Sequence, residues 1–210
     1  MYAGVTTRHG ASMMCRLEMS VRPSIESYPV YLPMLDLKSD PTLQFLFRIA
    51  RRRVVTGFIV AAIVFVFARP TWRSILLGVP IAILGESIRV WAAGHLIKGR
   101  EVTTSGPYAF VRHPLYMGSA LLGLGFVVAA ASLFVAVIVL GYLALMISVA
   151  IRLEEATLRA EFGDAHARYV AGKSPAGARR FSVRRVRENR EYQSLLGLLV
   201  SVLVLCLLAA

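Results

Sequence analysis

The 210 residues are 57% apolar and only 17% charged, yet they carry a net charge of +12. Soluble domains run near 45–50% apolar and about 25% charged, so this chain has too little polar surface to be one and reads as a membrane protein. The positive charge does not point to nucleic acid, because the basic residues do not line a helix face with interleaved aromatics. They cluster between apolar runs instead, as in chains that are oriented by a membrane.

Residues 1–44 show neither a helical nor a strand period and are expected to form a disordered tail. "MYAGVTTRHGASMMCRLEMS" lacks the apolar core of a signal peptide, and Met13, Met14 and Met34 offer later starts. Val54 to Ala68 follows Arg51, Arg52 and Arg53; it is short for a span and relies on those arginines snorkelling. Ile75 to Ile97 is the second apolar run, broken by Glu86 and Arg89. Three apart, these two share a helical face. Ionisable groups inside a membrane face the protein, so the pair is expected to point into the bundle and find partners there.

Pro114 to Ile151 contains no charge over 38 positions. As one helix it would be roughly 57 Å long, about twice the ~30 Å hydrocarbon thickness. It must fold back, and Ala129 to Ser132 is the expected reversal between helices near 115–130 and 132–151. Gly123 and Gly125, inside the first of these, are expected to serve close helix packing. Ser194 to Ala210 completes an all-α fold, a polytopic transmembrane helix bundle of about five spans. The core is assigned to 45–192, and 193–210 to an additional C-terminal transmembrane helix.

Eight of the 24 basic residues lie at or before Arg53, three between Lys98 and Arg112, and ten between Arg152 and Arg190. By the positive-inside rule these segments and the N-terminus are expected to be cytoplasmic, with Arg69 and Arg73 outside. The run from Arg179 to Arg190 reads as an orienting and lipid-surface patch. Cys15 and Cys206 give no disulfide framework, and His9, His95, His113 and His166 show no metal-ligand spacing. The oligomeric state is not encoded in any of these patterns.

One border gathers chemistry. In "TSGPYAFVRHPLYMGS", residues 104–119, turn residues lead into His113-Pro114, a helix start because proline at the first helical position forfeits no hydrogen bond. Such an end carries unpaired amides and partial positive charge, and attracts anions. Arg112 would add a guanidinium; Tyr108, His113 and Tyr116 would add hydrogen-bonding groups. All four also suit simple interface anchors. The hairpin brings a second cluster to this mouth, Arg152, Glu154 and Glu155. An inward carboxylate there needs a cationic partner, which could be Arg112, Arg152 or a ligand.

The combination of "TTSGPYAFVRHPLYMGS", a charge-free hairpin and "EEATLRAEFGDAHARY" resembles the isoprenylcysteine carboxyl methyltransferase and phospholipid N-methyltransferase group of integral membrane enzymes. The likeness covers roughly residues 75–175, and "GESIRVWAAGHLIKGREVTTSGPY" is similar to its uncharacterised bacterial branch. The resemblance implies a cytoplasmic pocket for S-adenosylmethionine, in a protein of the bacterial inner membrane. Tyr108, His113, Pro114, Leu115 and Tyr116 would line the pocket, with contacts from Val102 and Thr103 and with Glu154 binding the cofactor. Arg112 or His113 would bind the cofactor's carboxylate, Glu155 would support Glu154 or face the substrate, and Arg152 and Glu155 take the catalytic assignment. No metal is implied.

Methyl transfer suits this inventory. The sulfonium already activates the carbon, so positioning and exclusion of water matter more than a nucleophile triad. Prenylcysteine enzymes hold the acceptor carboxylate with an arginine where this chain has Ala150, and Arg152 lies on another face. The acceptor is therefore read only as a hydrophobic or lipid-like molecule, carboxylate or amine, entering from the bilayer. Two other classes stand beside this reading. An NADPH-dependent membrane reductase of the sterol-reductase type would need more basic groups for three phosphates than Lys98, Arg100 and Arg112. A non-enzymatic membrane assembly protein would have no reason to gather Tyr108, Arg112, His113, Glu154 and Glu155.

Overall fold

The computed structural model describes residues 40–210. Six α-helices follow one another: α1 (Pro41–Phe67), α2 (Trp72–Ala93), α3 (Pro114–Ala130), α4 (Leu133–Val170), α5 (Val183–Glu188) and α6 (Tyr192–Ala209), with a 3-10 turn at Gly106–Ala109. The fold is an all-α bundle. Among the described residues the sole β pairing is one bridge between Ser105 and Gly177. Helices α2, α4 and α6 are long and apolar enough to cross a membrane, and α3, at 17 residues, is a shorter apolar helix. The apolar part of α1 begins only after Arg53. All five apolar runs of the sequence are thus helical, three of them at full spanning length.

Helix starts follow local chemistry. Asp40 accepts hydrogen bonds from the backbone N–H groups of Thr42 (2.8 Å) and Leu43 (3.3 Å), with Pro41 at the first helical position. This cap-and-proline signal takes residues 41–44 into α1, four positions ahead of the boundary expected from periodicity. The disorder expected further upstream lies outside the described residues. Thr71 and Ser74 form a reciprocal capping box on α2. Between α3 and α4 the chain reverses at Ala131, which takes left-handed backbone (φ 49°), and Ser132, whose hydroxyl accepts from the Val135 N–H. The reversal expected at 129–132 is where the structure has it.

Packing in lipid depends on small residues, because lipid tails are as apolar as leucine. Gly78 and Gly85 on α2 meet Gly125 and Gly118 on α3, each so close that an added Cβ would fall under 3.0 Å from the facing backbone. Gly123 instead faces Leu143 of α4. The two glycines of the Gly-Leu-Gly element therefore serve two interfaces.

The bundle sorts its connections into two ends. At one, the Arg69 N–H donates to the Ala130 carbonyl (2.8 Å). At the other, the 94–113 loop meets residues 171–191, with the Gly177 N–H donating to the Thr104 carbonyl (3.1 Å). Helix α4 continues past the apolar hairpin to Val170, breaking only at Gly163 (φ 41°, ψ −111°), a conformation glycine alone adopts without steric cost. This continuation carries Glu154 and Glu155 to the second end.

Candidate functional site

His113 is the hub of that end. As the residue preceding α3, it is placed by Pro114, and its imidazole reaches both carboxylates of α4: Nε2 lies 3.3 Å from Glu155 Oε1 and Nδ1 lies 3.8 Å from Glu154 Oε2. Arg112 Nη1 is 3.9 Å from the same Glu155 oxygen. Tyr116, one turn along α3, stacks obliquely on the His113 ring with centroids 5.9 Å apart, and its phenol lies close enough to feel the Glu154 carboxylate. The expected meeting of residues 112–116 with 154–155 is thus present in the geometry.

These contacts are loose. The side chains of Glu154 and Glu155 remain 38% and 35% exposed, and that of Arg112 55%. At that exposure an ion pair contributes only ~0–1 kcal/mol, so the charges are free to exchange partners with a ligand. Helices α1, α2 and α4 each receive a side-chain cap, whereas His113 makes no capping hydrogen bond to α3. The first turn of α3 is therefore left without a side-chain cap, with the Tyr116 and Met117 N–H groups donating to the His113 carbonyl (both 3.1 Å).

Tyr108 is buried under this cluster in the 3-10 turn, and its carbonyl accepts from the Tyr169 hydroxyl (2.8 Å). Burial first, and Glu154 next, push its phenol above the ordinary value. It therefore stays neutral and able to donate. A cavity of about 280 Å3 opens beside it, lined by Thr104, Tyr108, Arg112, Tyr169, Gly172 and Ser174 among others. Thr104 takes the lining position, while Thr103 is buried with its hydroxyl unpartnered and Val102 is half-buried. Pro114 is buried and Leu115 half-buried in the first turn of α3. Arg152 is exposed and takes part in none of the ion pairs among the described residues. One neighbour had no sequence signal: His166, buried on the far side of the Gly163 break, feels the charges of Glu155, His113 and Arg112.

Deeper in the bundle lies a second polar group. Arg89 on α2 contacts Glu86 (Nε to Oε2, 3.4 Å), Glu191 before α6 (Nη2 to Oε2, 2.7 Å) and the Ser119 hydroxyl of α3. Ser194 of α6 donates to Glu86 at 2.7 Å. The pair expected from its spacing faces inward, joined by two residues more than a hundred positions away. Arg89 and Ser119 also line an apolar cavity of about 390 Å3 among α1, α2, α3, α4 and α6.

An apolar bundle with a half-exposed acid–imidazole–tyrosine cluster at one end defines an integral membrane protein with a polar mouth. The chain belongs to the phospholipid methyltransferase family, whose model matches residues 53–165, the region that holds every residue of the His113 cluster. It is also 36% identical over 146 residues to the cobalt-zinc-cadmium resistance protein CzcN of Cupriavidus metallidurans, a match covering 66% of this chain and 66% of that relative. No solved structure gives a significant match.

Proposed function

We propose that this protein transfers a methyl group from S-adenosylmethionine to a hydrophobic or lipid-like acceptor at the cytoplasmic face of the bacterial inner membrane. The observation that carries the reading is the His113 cluster: two carboxylates, an imidazole and a tyrosine, loosely paired at an uncapped helix start within the family-matched region.

The donor set fits the cofactor's amino-acid end. Glu154, with Tyr116 orienting it, would hold the amino group; the open start of α3 with Arg112 would hold the carboxylate. Tyr108, buried and neutral, would donate a hydrogen bond at the pocket floor. When bound, S-adenosylmethionine supplies a methyl carbon already activated by its sulfonium. What the chain contributes is placement and a dry reaction path. Glu155, shared between His113 and Arg112, would orient the acceptor. Arg152, exposed and unpaired, supports at most contact with a headgroup at the rim.

The same charges weigh against three phosphates, since Glu154 and Glu155 sit beside the only arginine of the cluster. Calorimetry on detergent-solubilised protein should give micromolar binding of S-adenosylhomocysteine and none of NADPH. The reverse result would favour the reductase. Orientation is tested by cysteines at exposed Glu101, Lys173 and Arg73: the first two should label from the cytoplasm and the third from outside. Labelling of 73 and 173 from one side would defeat the topology.

A further inference from the structure

The family match ends at residue 165, yet the next stretch is stitched to the bundle by specific bonds. Arg179 donates to the His95 carbonyl (Nη1, 3.0 Å) and to Glu101; Arg185 Nε donates to the Gly94 carbonyl (2.6 Å). The Ser182 N–H reaches the same Gly94 carbonyl at 3.1 Å, and Asn189 donates to the carbonyls of Ala93 (2.9 Å) and Leu96 (3.2 Å). These carbonyls belong to the last turn of α2 and its exit, where a helix has no partners of its own.

The fit is steric as well as polar. The Phe181 ring lies where a Cβ on Gly94 would be, and the His95 ring packs between Phe181, with centroids 6.2 Å apart, and Gly106. From Gly106 the chain runs directly into the turn bearing Tyr108 and then to Arg112 and His113. On its other side the same stretch reaches the 280 Å3 cavity, where Gly172, Ser174 and Ala176 join Thr104, Tyr108 and Arg112 in the lining, Arg112 being the member of the His113 cluster among them. A segment that only covered the end of α2 would have no need to reach that cavity.

We propose that residues 172–182 are part of the cofactor site: 172–176 supply one wall of its pocket, and Arg179 is a positioning residue that fixes the facing loop. The inference rests on the methyltransferase reading and extends the binding site beyond the region shared with the family. Ser174→Trp, which fills the cavity from the 172–176 wall, should weaken S-adenosylhomocysteine binding more than tenfold with an unchanged melting temperature. Arg179→Ala should weaken it about tenfold, and Arg179→Lys, which can keep one of the two contacts, should recover part of the loss. Gly94→Ala, which displaces Phe181 without removing a charged group, should match Arg179→Ala. Wild-type affinity in Ser174→Trp, or variants at 179 and 94 that lower only the melting temperature, would overturn the proposal. A wild-type protein that fails to bind S-adenosylhomocysteine would overturn the methyltransferase reading, and this inference with it.

Discussion

The two charged clusters of this molecule each set an arginine against two glutamates, and they differ in how deeply they are buried and how closely they are held. Around Arg89 the contacts reach 2.7 Å, and Glu86 and Glu191 are 2% and 7% exposed. Around His113 the contacts run from 3.3 to 3.9 Å, and every carboxylate keeps more than a third of its side-chain surface. Removing one partner from a buried group strands the others in a medium that cannot solvate them. Removing one from an exposed group lets water replace it. On the proposed reading the inner cluster serves stability and the outer one binding, although both are arginine–glutamate groups in sequence.

That division can be broken at either side. The largest expected effect is Arg89→Met, which leaves Glu86 and Glu191 buried without a cation and should destabilise the bundle by about 3–5 kcal/mol, read as a large drop in melting temperature in detergent. A melting temperature within a degree of wild type would move the inner cluster out of the structural class. Gly85→Val comes next: its Cβ would meet the Leu122 backbone, and overpacking costs about 1–3 kcal/mol, so α2 and α3 should separate and the protein should melt earlier. The smallest effect belongs to Arg184→Ala, an exposed partner of Glu188 at 2.8 Å. An i,i+4 pair of this kind is worth only about 0.3–0.5 kcal/mol, so stability and ligand affinity should both stay close to wild type.

Much of this was legible before any coordinates, and the reason is local chemistry. Pro114 after His113 marks a helix start, the 38-residue charge-free run is too long for one crossing, and Glu86 and Arg89 share a face by spacing alone. Each is a statement about neighbours in the chain. What the sequence hid lies between distant segments. Glu191 and Ser194 carry no periodic signal that would assign them to Arg89, since α6 is apolar all round and gives no face to match. His166, past the Gly163 break in α4, lies near enough to feel Glu155, His113 and Arg112. The run from Arg179 to Arg190 reads as a basic surface patch, although three of its side chains satisfy backbone carbonyls at the end of α2. The start of α1 at Pro41 has the opposite cause: it is set by the Asp40 cap and the proline, a local signal that carries no periodicity.

The outer cluster is proposed to bind a ligand and not to hold the fold. Isothermal calorimetry with S-adenosylhomocysteine on wild type, His113→Ala, Glu154→Gln and the control Asp164→Asn, each checked for melting temperature, tests it most directly. A charge-assisted contact contributes about 1.5–3 kcal/mol, so His113→Ala and Glu154→Gln should each bind roughly 10- to 150-fold more weakly while melting like wild type, and Asp164→Asn should be unchanged. Equal affinities in all four proteins, or lost stability in the two cluster variants without lost affinity, would contradict the account.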